Sequence, residues 1–129
     1  MQVDTPATCG NAPRHQITLG LLVALHGKNL PELRQWLADD VVWEFPGEQT
    51  LRGRDAVEQW AQTLPEATRL QFLSVLTHGK EGSADGVLAS GGKETPFSHV
   101  LRFASAGKTA KLVAVRSYFA GSSPAGQKA

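Results

Sequence analysis

The sequence predicts an α+β domain, and three observations carry that prediction. Apolar residues recur at helical spacing in the first half, over 14–26, 30–37 and 55–64. After Pro65 the chain reads instead as four strand-like runs joined by short turn-forming linkers. Helices that come first and a strand meander that follows are the α+β arrangement, not the regular alternation of a parallel α/β fold.

Taken in order, residues 1–13 are rich in Thr, Pro, Ala and Gly with no apolar period, so a flexible arm or a surface strap is expected. A single domain over 14–119 follows. In its first helix Ile17, Leu21, Ala24 and Leu25 form one stripe with Leu22 beside it. Gly27 and Asn29 interrupt that helix, and Asn29 with Glu32 three positions later resembles a capping arrangement for a second, short helix through Leu30, Leu33, Trp36 and Leu37. Pro31 is tolerated there because first-turn amides have no intrahelical acceptor.

Ala38-Asp39-Asp40 is expected as an Asx-type turn, and the run 41–45 alternates behind it. One face carries Val41, Trp43 and Phe45, a natural pocket wall; the other carries Val42 and Glu44, the latter suited to a salt bridge or an interface. Pro46-Gly47 marks a turn, and 55–64 forms a helix with Val57, Trp60, Ala61 and Leu64 on one stripe and Asp55 in its first turn, where it suits the dipole. Strands are then expected over 70–78, 86–90, 97–103 and 111–119, paired antiparallel by their short linkers. Residues 120–129 form a flexible tail of Gly, Ser and Pro.

A chain of 129 residues with 41% apolar content has the size and composition for one core. Thirteen basic and twelve acidic residues leave a net charge of +1, and the basic residues are scattered without interleaved aromatics. Nucleic-acid binding is therefore not expected. Cys9 is the one cysteine, which excludes an internal disulfide and fits a reducing compartment. With no signal-like start and no apolar run of bilayer length, no membrane association and a cytoplasmic protein are expected.

Alternation over 97–103 puts Phe97, His99, Leu101 and Phe103 on one face, and Ser98, Val100 and Arg102 on the other. An imidazole among large apolar residues, with an unperturbed pKa near ~6.5, is suited to acid–base work, although such a His is more often a hydrogen-bonded core residue. In 111–119, Val113, Val115, Ser117 and Phe119 share one face while Leu112, Ala114, Arg116 and Tyr118 share the other. Polarity does not choose between them. A sheet covered by helices on one side and a second subunit on the other has this lack of contrast, so a homodimer through the outer sheet face is expected.

The remaining histidines read as solvated or capping groups: His78 beside a turn, His15 and His26 near the ends of the first helix. There is no His-Glu-x-x-His and no cysteine pair, so no metal is expected. Neither a phosphate-cradling loop, a dinucleotide fingerprint nor a Gly-x-Ser-x-Gly elbow follows any strand, and no cofactor is expected.

The succession of helix, short helix, Ala38-Asp39-Asp40, Trp43-Glu44-Phe45-Pro46-Gly47, Gly53-Arg54-Asp55-Ala56-Val57 and a four-strand meander resembles the nuclear transport factor 2-like superfamily, in its SnoaL-like and ketosteroid isomerase branch. The resemblance covers roughly 16–119. It implies a cone-shaped curved antiparallel sheet wrapped around the N-terminal helices, an α+β barrel of the cystatin-like kind, with a deep pocket and commonly a homodimer.

On the isomerase pattern, the catalytic Asp of Glu-Asp-Pro falls on Phe45, the oxyanion-hole Tyr on Leu21, and the oxyanion-hole Asp on His99, before Val100-Leu101-Arg102-Phe103. All three differ, and steroid isomerisation is not carried over, because that route needs a carboxylate to move the proton. What the resemblance leaves is a pocket lined by Leu21, Trp43, Phe45, Trp60, Leu101, Phe103 and Phe119, with His99 and Ser117 inside it.

The expected function is thus binding of a small apolar molecule, with His99 as acid or base and Ser117 orienting it in a cofactor-independent isomerase, cyclase or dehydratase. Its activity should track a group titrating near neutrality. The alternative is a non-catalytic ligand-binding or dimerisation module, in which His99 satisfies a buried hydrogen bond.

Overall fold

The computed structural model describes residues 1–6 and 13–120, leaving aside the side chains of 13 and 14; Cys9, the rest of the expected arm and the tail from 121 lie outside the described residues. Helices α1 (Pro13–His26), α2 (Leu30–Trp36) and α3 (Arg54–Thr63) pack on one sheet of seven strands among these residues. The strands are β1 (Gln2–Asp4), β2 (Leu37–Phe45), β3 (Gln49–Arg52), β4 (Arg69–His78), β5 (Glu81–Ser90), β6 (Lys93–Phe103) and β7 (Leu112–Phe119). Their spatial order is β1-β4-β5-β6-β7-β2-β3.

The helices form where the apolar stripes placed them. Asn29 caps α2, its Oδ1 accepting from the Glu32 amide at 3.4 Å, and Pro31 sits in the first turn. Helix α3 begins at Gly53, whose φ of +92° suits glycine. It buries Val57, Trp60 and Ala61 against the sheet.

Curvature comes from the middle of the sheet. The inward positions of β5 are Gly82, Ala84, Gly86 and Leu88, small enough to let α1 approach the sheet, with Thr18 facing Gly82. Opposite Gly86, the β4 register shifts between Phe72 and Ser74, leaving Leu73 as an extra, exposed residue. A bulge of this kind bends its strand and raises the local twist.

A second irregularity resolves the final strand. Arg102 pairs with Ala114 but Phe103 pairs with Leu112, so Val113 is the surplus residue and Leu112 joins Val115 and Ser117 on the buried face. Simple alternation cannot choose between the faces here because the bulge breaks the period of two.

The sheet departs from expectation in four places. It is mixed, since β1 pairs with β4 and β2 with β7 in parallel, and unclosed, with β1 and β3 at its two edges. Ala38, Asp39 and Asp40 lie inside β2, in an irregular stretch where its register against β7 shifts between Leu37 and Val42. Strand β3 returns antiparallel along β2 after the Pro46-Gly47 turn, a pairing the sequence pattern did not disclose. Within the expected flexible arm, Gln2–Asp4 forms an edge strand, held by Gln2 N–H to the Thr68 carbonyl at 3.0 Å and by Asp4 against Arg69 at 2.9 Å.

Candidate functional site

The buried face of β6 carries Thr95, Phe97, His99, Leu101 and Phe103, which is why the alternation put His99 inside. It is fully buried, and Ser117 stands opposite it on β7. Ser117 Oγ lies 2.7 Å from His99 Nδ1 and accepts from the Trp43 indole N–H at 2.8 Å. On the other side of the ring, His99 Nε2 meets His26 Nε2 at 3.1 Å. Four side chains from β2, β7, β6 and α1 thus make one buried polar chain.

The donor inventory constrains the direction of its hydrogen bonds. Trp43 only donates, so Ser117 accepts there; its second lone pair and its one proton both suit His99 Nδ1, and the histidine tautomers decide between them. With Ser117 as the donor, neutral His99 carries its hydrogen on Nε2 and donates to His26 Nε2, leaving the His26 hydrogen on Nδ1.

Burial sets the charge state. It pushes the pKa of His26 from 6.5 down to about 4. Burial first, and the neighbouring His26 second, push His99 well below 6.5. Both rings are neutral at pH 7, so His99 is available as a base or a neutral hydrogen-bond donor but not as an imidazolium acid. The near-neutral titration expected of it is corrected accordingly.

Aromatic rings surround this chain. Phe97 lies 5.2 Å from His99 and 5.5 Å from His26, and Phe119 lies 5.7 Å from His99, between ring centroids. Trp60 packs on Trp43 at 5.3 Å and on Phe45 at 5.0 Å. The expected residues Trp43, Phe45, Trp60, Phe119, Ser117 and His99 therefore come together. Leu21, Leu101 and Phe103 are buried in the same core.

The sequence pattern does not disclose one member of the cluster, His26, and it puts a second, Phe97, on the His99 face without a place in the expected lining. His26 was read as solvated or capping, but it is 2% exposed and is the partner of His99. The signal was available: His26 is four positions after Leu22 and seven after Leu19, on the buried face of α1. Phe97, two positions before His99, shares its face and touches both imidazoles.

The other sites are plainer. His15 Nδ1 is 3.2 Å from Thr77 Oγ1, while His78 and Glu44 are exposed. Asp39 is exposed and pairs with Arg54 at 3.0 Å. Among the described residues, no group of three or more His, Cys, Asp or Glu is placed to hold a metal ion, and no helix is long and apolar enough to cross a membrane. Four surface concavities are lined by residues of the α3 start, the α2 end and the outer sheet; none of these four reaches His26, His99 or Ser117.

A family model described as the SnoaL-like domain matches residues 20–121. Among solved structures, the chain is similar to a proposed ketosteroid isomerase from Kribbella flavida DSM 17836, at 18% identity and TM-score 0.71, over 84% of this chain and 78% of that one. It is similar to an NTF-2 like protein of unknown function from Burkholderia xenovorans LB400, at 13% identity and TM-score 0.72, over 83% and 82% of the two chains. A proposed SnoaL-like polyketide cyclase from Shewanella denitrificans OS-217 matches at 15% identity and TM-score 0.70, over 85% and 91%. No curated protein matches the chain. Likeness at these identities speaks to the fold and leaves the chemistry to the residues.

Proposed function

The chain belongs to the SnoaL-like domain family, and from that premise we propose that it binds a small apolar molecule among the aromatic side chains around His99 and acts on it as a cofactor-independent isomerase, cyclase or dehydratase. His99 is the acid–base group and Ser117 orients it. The observation that carries this reading is the buried chain Trp43–Ser117–His99–His26 inside an aromatic shell. Two imidazoles buried at the expense of their basicity do less for stability than apolar residues of the same size, which favours a chemical use for them.

The chemistry follows from the engagement of both His99 nitrogens, which makes proton uptake a relay. A proton leaving the substrate is taken up by Ser117 Oγ as the Ser117 proton passes to His99 Nδ1, and the low basicity that burial imposes on the ring favours its return, by the reverse relay, to another atom of the same substrate. Isomerisation and dehydration both need such a return. Steroid isomerisation by the carboxylate route is not part of the proposal, because Phe45 and Leu21 bring neither a base nor a donor.

A second reading has its own support. Both ring nitrogens of His99 already have protein partners, as a structural residue of a non-catalytic binding or dimerisation module would. Thermal-shift titration against small apolar compounds, followed by product analysis of each hit, separates the two. The enzyme reading expects a hit that is chemically converted, with conversion lost in a folded His99→Ala variant. Conversion unchanged in that variant would overturn the role of His99, and binding without conversion would favour the module.

For assembly, the reading includes a homodimer through the outer sheet face. There Leu76 and Tyr118 are exposed and Val42, Val100 and Ala114 are half-buried. A partner sheet would cover them.

A further inference from the structure

The outward residues of the sheet carry a charge pattern that one chain leaves incomplete. Between β6 and β7, Arg102 is the register partner of Ala114, and Val100 is the partner of Arg116. The two guanidinium groups therefore start from opposite corners of a square whose other corners are apolar. A concavity of about 150 Å³ lies here, with Glu81, Val100, Arg102, Ala114 and Arg116 among its walls.

Two guanidinium groups and one carboxylate are an unequal set. Arg102 donates to Glu81 at 2.8 Å and holds its carboxyl below the ordinary carboxylate range, while the charges of Arg116 and Lys80 act in the same direction more weakly. Arg116 is exposed and, among the described residues, its side chain has no ion pair of its own. Its neighbours Arg102 and Lys80 are cations, and like charges so placed repel until an added anion relieves them. The concavity has the space and the charge for one more carboxylate.

The same face supplies that acid. Glu44 on β2 is exposed and likewise has no ion pair among the described residues. It is the register partner of Arg116, yet it is not among the walls of the concavity, which Arg116 lines together with residues of β5 and β6. Asp85, a second outward acid, already accepts from the Ser74 hydroxyl. Across a two-fold axis every contact between two different residues occurs twice, so one free base and one free acid on a single face are complementary between two copies of it.

We propose that this concavity is an interface socket in which Arg116, beside Arg102, receives Glu44 of a second copy, the two-fold repeating the contact so that two such pairs fix the dimer. The proposal rests on the homodimer through the outer sheet face and adds the polar contact that sets its orientation. Apolar groups such as Tyr118 contribute area in many arrangements of two sheets, whereas reciprocal charges favour one and oppose those that bring like charges together.

The test is a charge exchange on the full chain, read by sedimentation. Arg116→Glu alone and Glu44→Arg alone each place two like-charge contacts in the dimer and should raise its dissociation constant about tenfold. Mixed in equal amounts, the two variants should form a heterodimer about as tight as the unsubstituted dimer, because each socket then meets an opposite charge. A pair confined to one chain gains nothing from mixing, since one variant holds two acids and the other two bases. In the unsubstituted protein, added sodium chloride should weaken the dimer by screening the contacts, a readout that needs no variant. Single variants as tight as the unsubstituted protein, a mixture no tighter than its parts, or a dimer indifferent to salt would overturn the socket while leaving the outer face an interface. If the unsubstituted chain stays monomeric at tens of micromolar, the dimer reading fails and the socket fails with it.

Discussion

His26 and His99, 73 positions apart in the chain, stand with their Nε2 atoms 3.1 Å apart in the buried core. Two imidazolium rings cannot face each other at that distance, so the pair accepts protons reluctantly and one at a time. This relationship governs how the protein responds to acid, and through Ser117 it ties α1 to β2, β6 and β7.

Stability should fall as pH drops from 7.5 to 5. The unfolded chain protonates His26 near 6.5, whereas the folded chain resists until about 4, so the unfolded state binds more protons across this window and acid favours it. The loss from His26 alone comes to about 2 kcal/mol at pH 5, and His99 adds in the same direction. Asp4 and Glu81, whose carboxyls are held below their ordinary values by Gln2 with Arg69 and by Arg102, respond only at lower pH. Urea midpoints measured across the range check this, and a double His26→Leu, His99→Leu variant should show a flatter profile. A wild-type midpoint that does not move between pH 7.5 and 5 would contradict burial of the pair.

Ser117→Ala should cost about 3 kcal/mol, because it strands two buried groups at once, the Trp43 N–H and His99 Nδ1. The hydroxyl itself is small, so little of the loss is packing. Nitrogen-15 shifts of the histidine rings in the unsubstituted protein should show hydrogen on His99 Nε2 and on His26 Nδ1. The opposite pair of tautomers would mean that Ser117 accepts from both neighbours and is no donor to His99.

How far this site could be read from the sequence depended on whether a local period survived in the fold. His99, Trp43 and Phe45 lie in stretches of unbroken alternation, and their inward aspect followed from parity alone. Ser117 shared a strand with the bulge at Val113, so its face was settled only by the register against β6. His26 lay on a readable helical stripe but ended its helix, where a basic residue has an ordinary dipole role. Leu37 to Asp40 read as a helix end and a turn, although Leu37 pairs with Leu112 of β7 and the chain continues in β2 across the register shift to Val42. Pairing with β7 on both sides of that stretch overrode local composition there.

Gly86→Ala should destabilise the fold by about 3 kcal/mol or prevent folding, since main-chain atoms are what the new methyl meets. Its Cβ would lie 1.9 Å from the Gln71 carbonyl oxygen and 3.0 Å from Phe72 Cα, and neither can swing away as a side chain end can. Gly20→Ala is the control. That glycine lies within α1 with nothing within 4 Å of the added carbon, so the exchange should stabilise by about 1 kcal/mol through helix propensity. Equal denaturation midpoints for the two variants would refute the close β4–β5 approach at the bulge.

The proposed dimer makes the last prediction. Leu76 and Tyr118 are 64% and 44% exposed on the outer face of the sheet, where Leu76 pairs with Ser83 and Tyr118 with Ser98. Around them, Arg102 pairs with Glu81 at 2.8 Å within the same face, so those two charges are matched and do not oppose close packing. If two copies join through this surface, the aromatic ring is the side chain whose burial contributes most, and a carboxylate in its place would be desolvated without a partner. Sedimentation of the 13.8 kDa chain at tens of micromolar should therefore give twice that mass, and Tyr118→Glu should raise the dissociation constant at least tenfold with the circular dichroism spectrum unchanged. A wild-type protein that sediments as a monomer at that concentration would remove the dimer from the proposal, and the outer face would then be an ordinary solvated surface with two exposed apolar side chains.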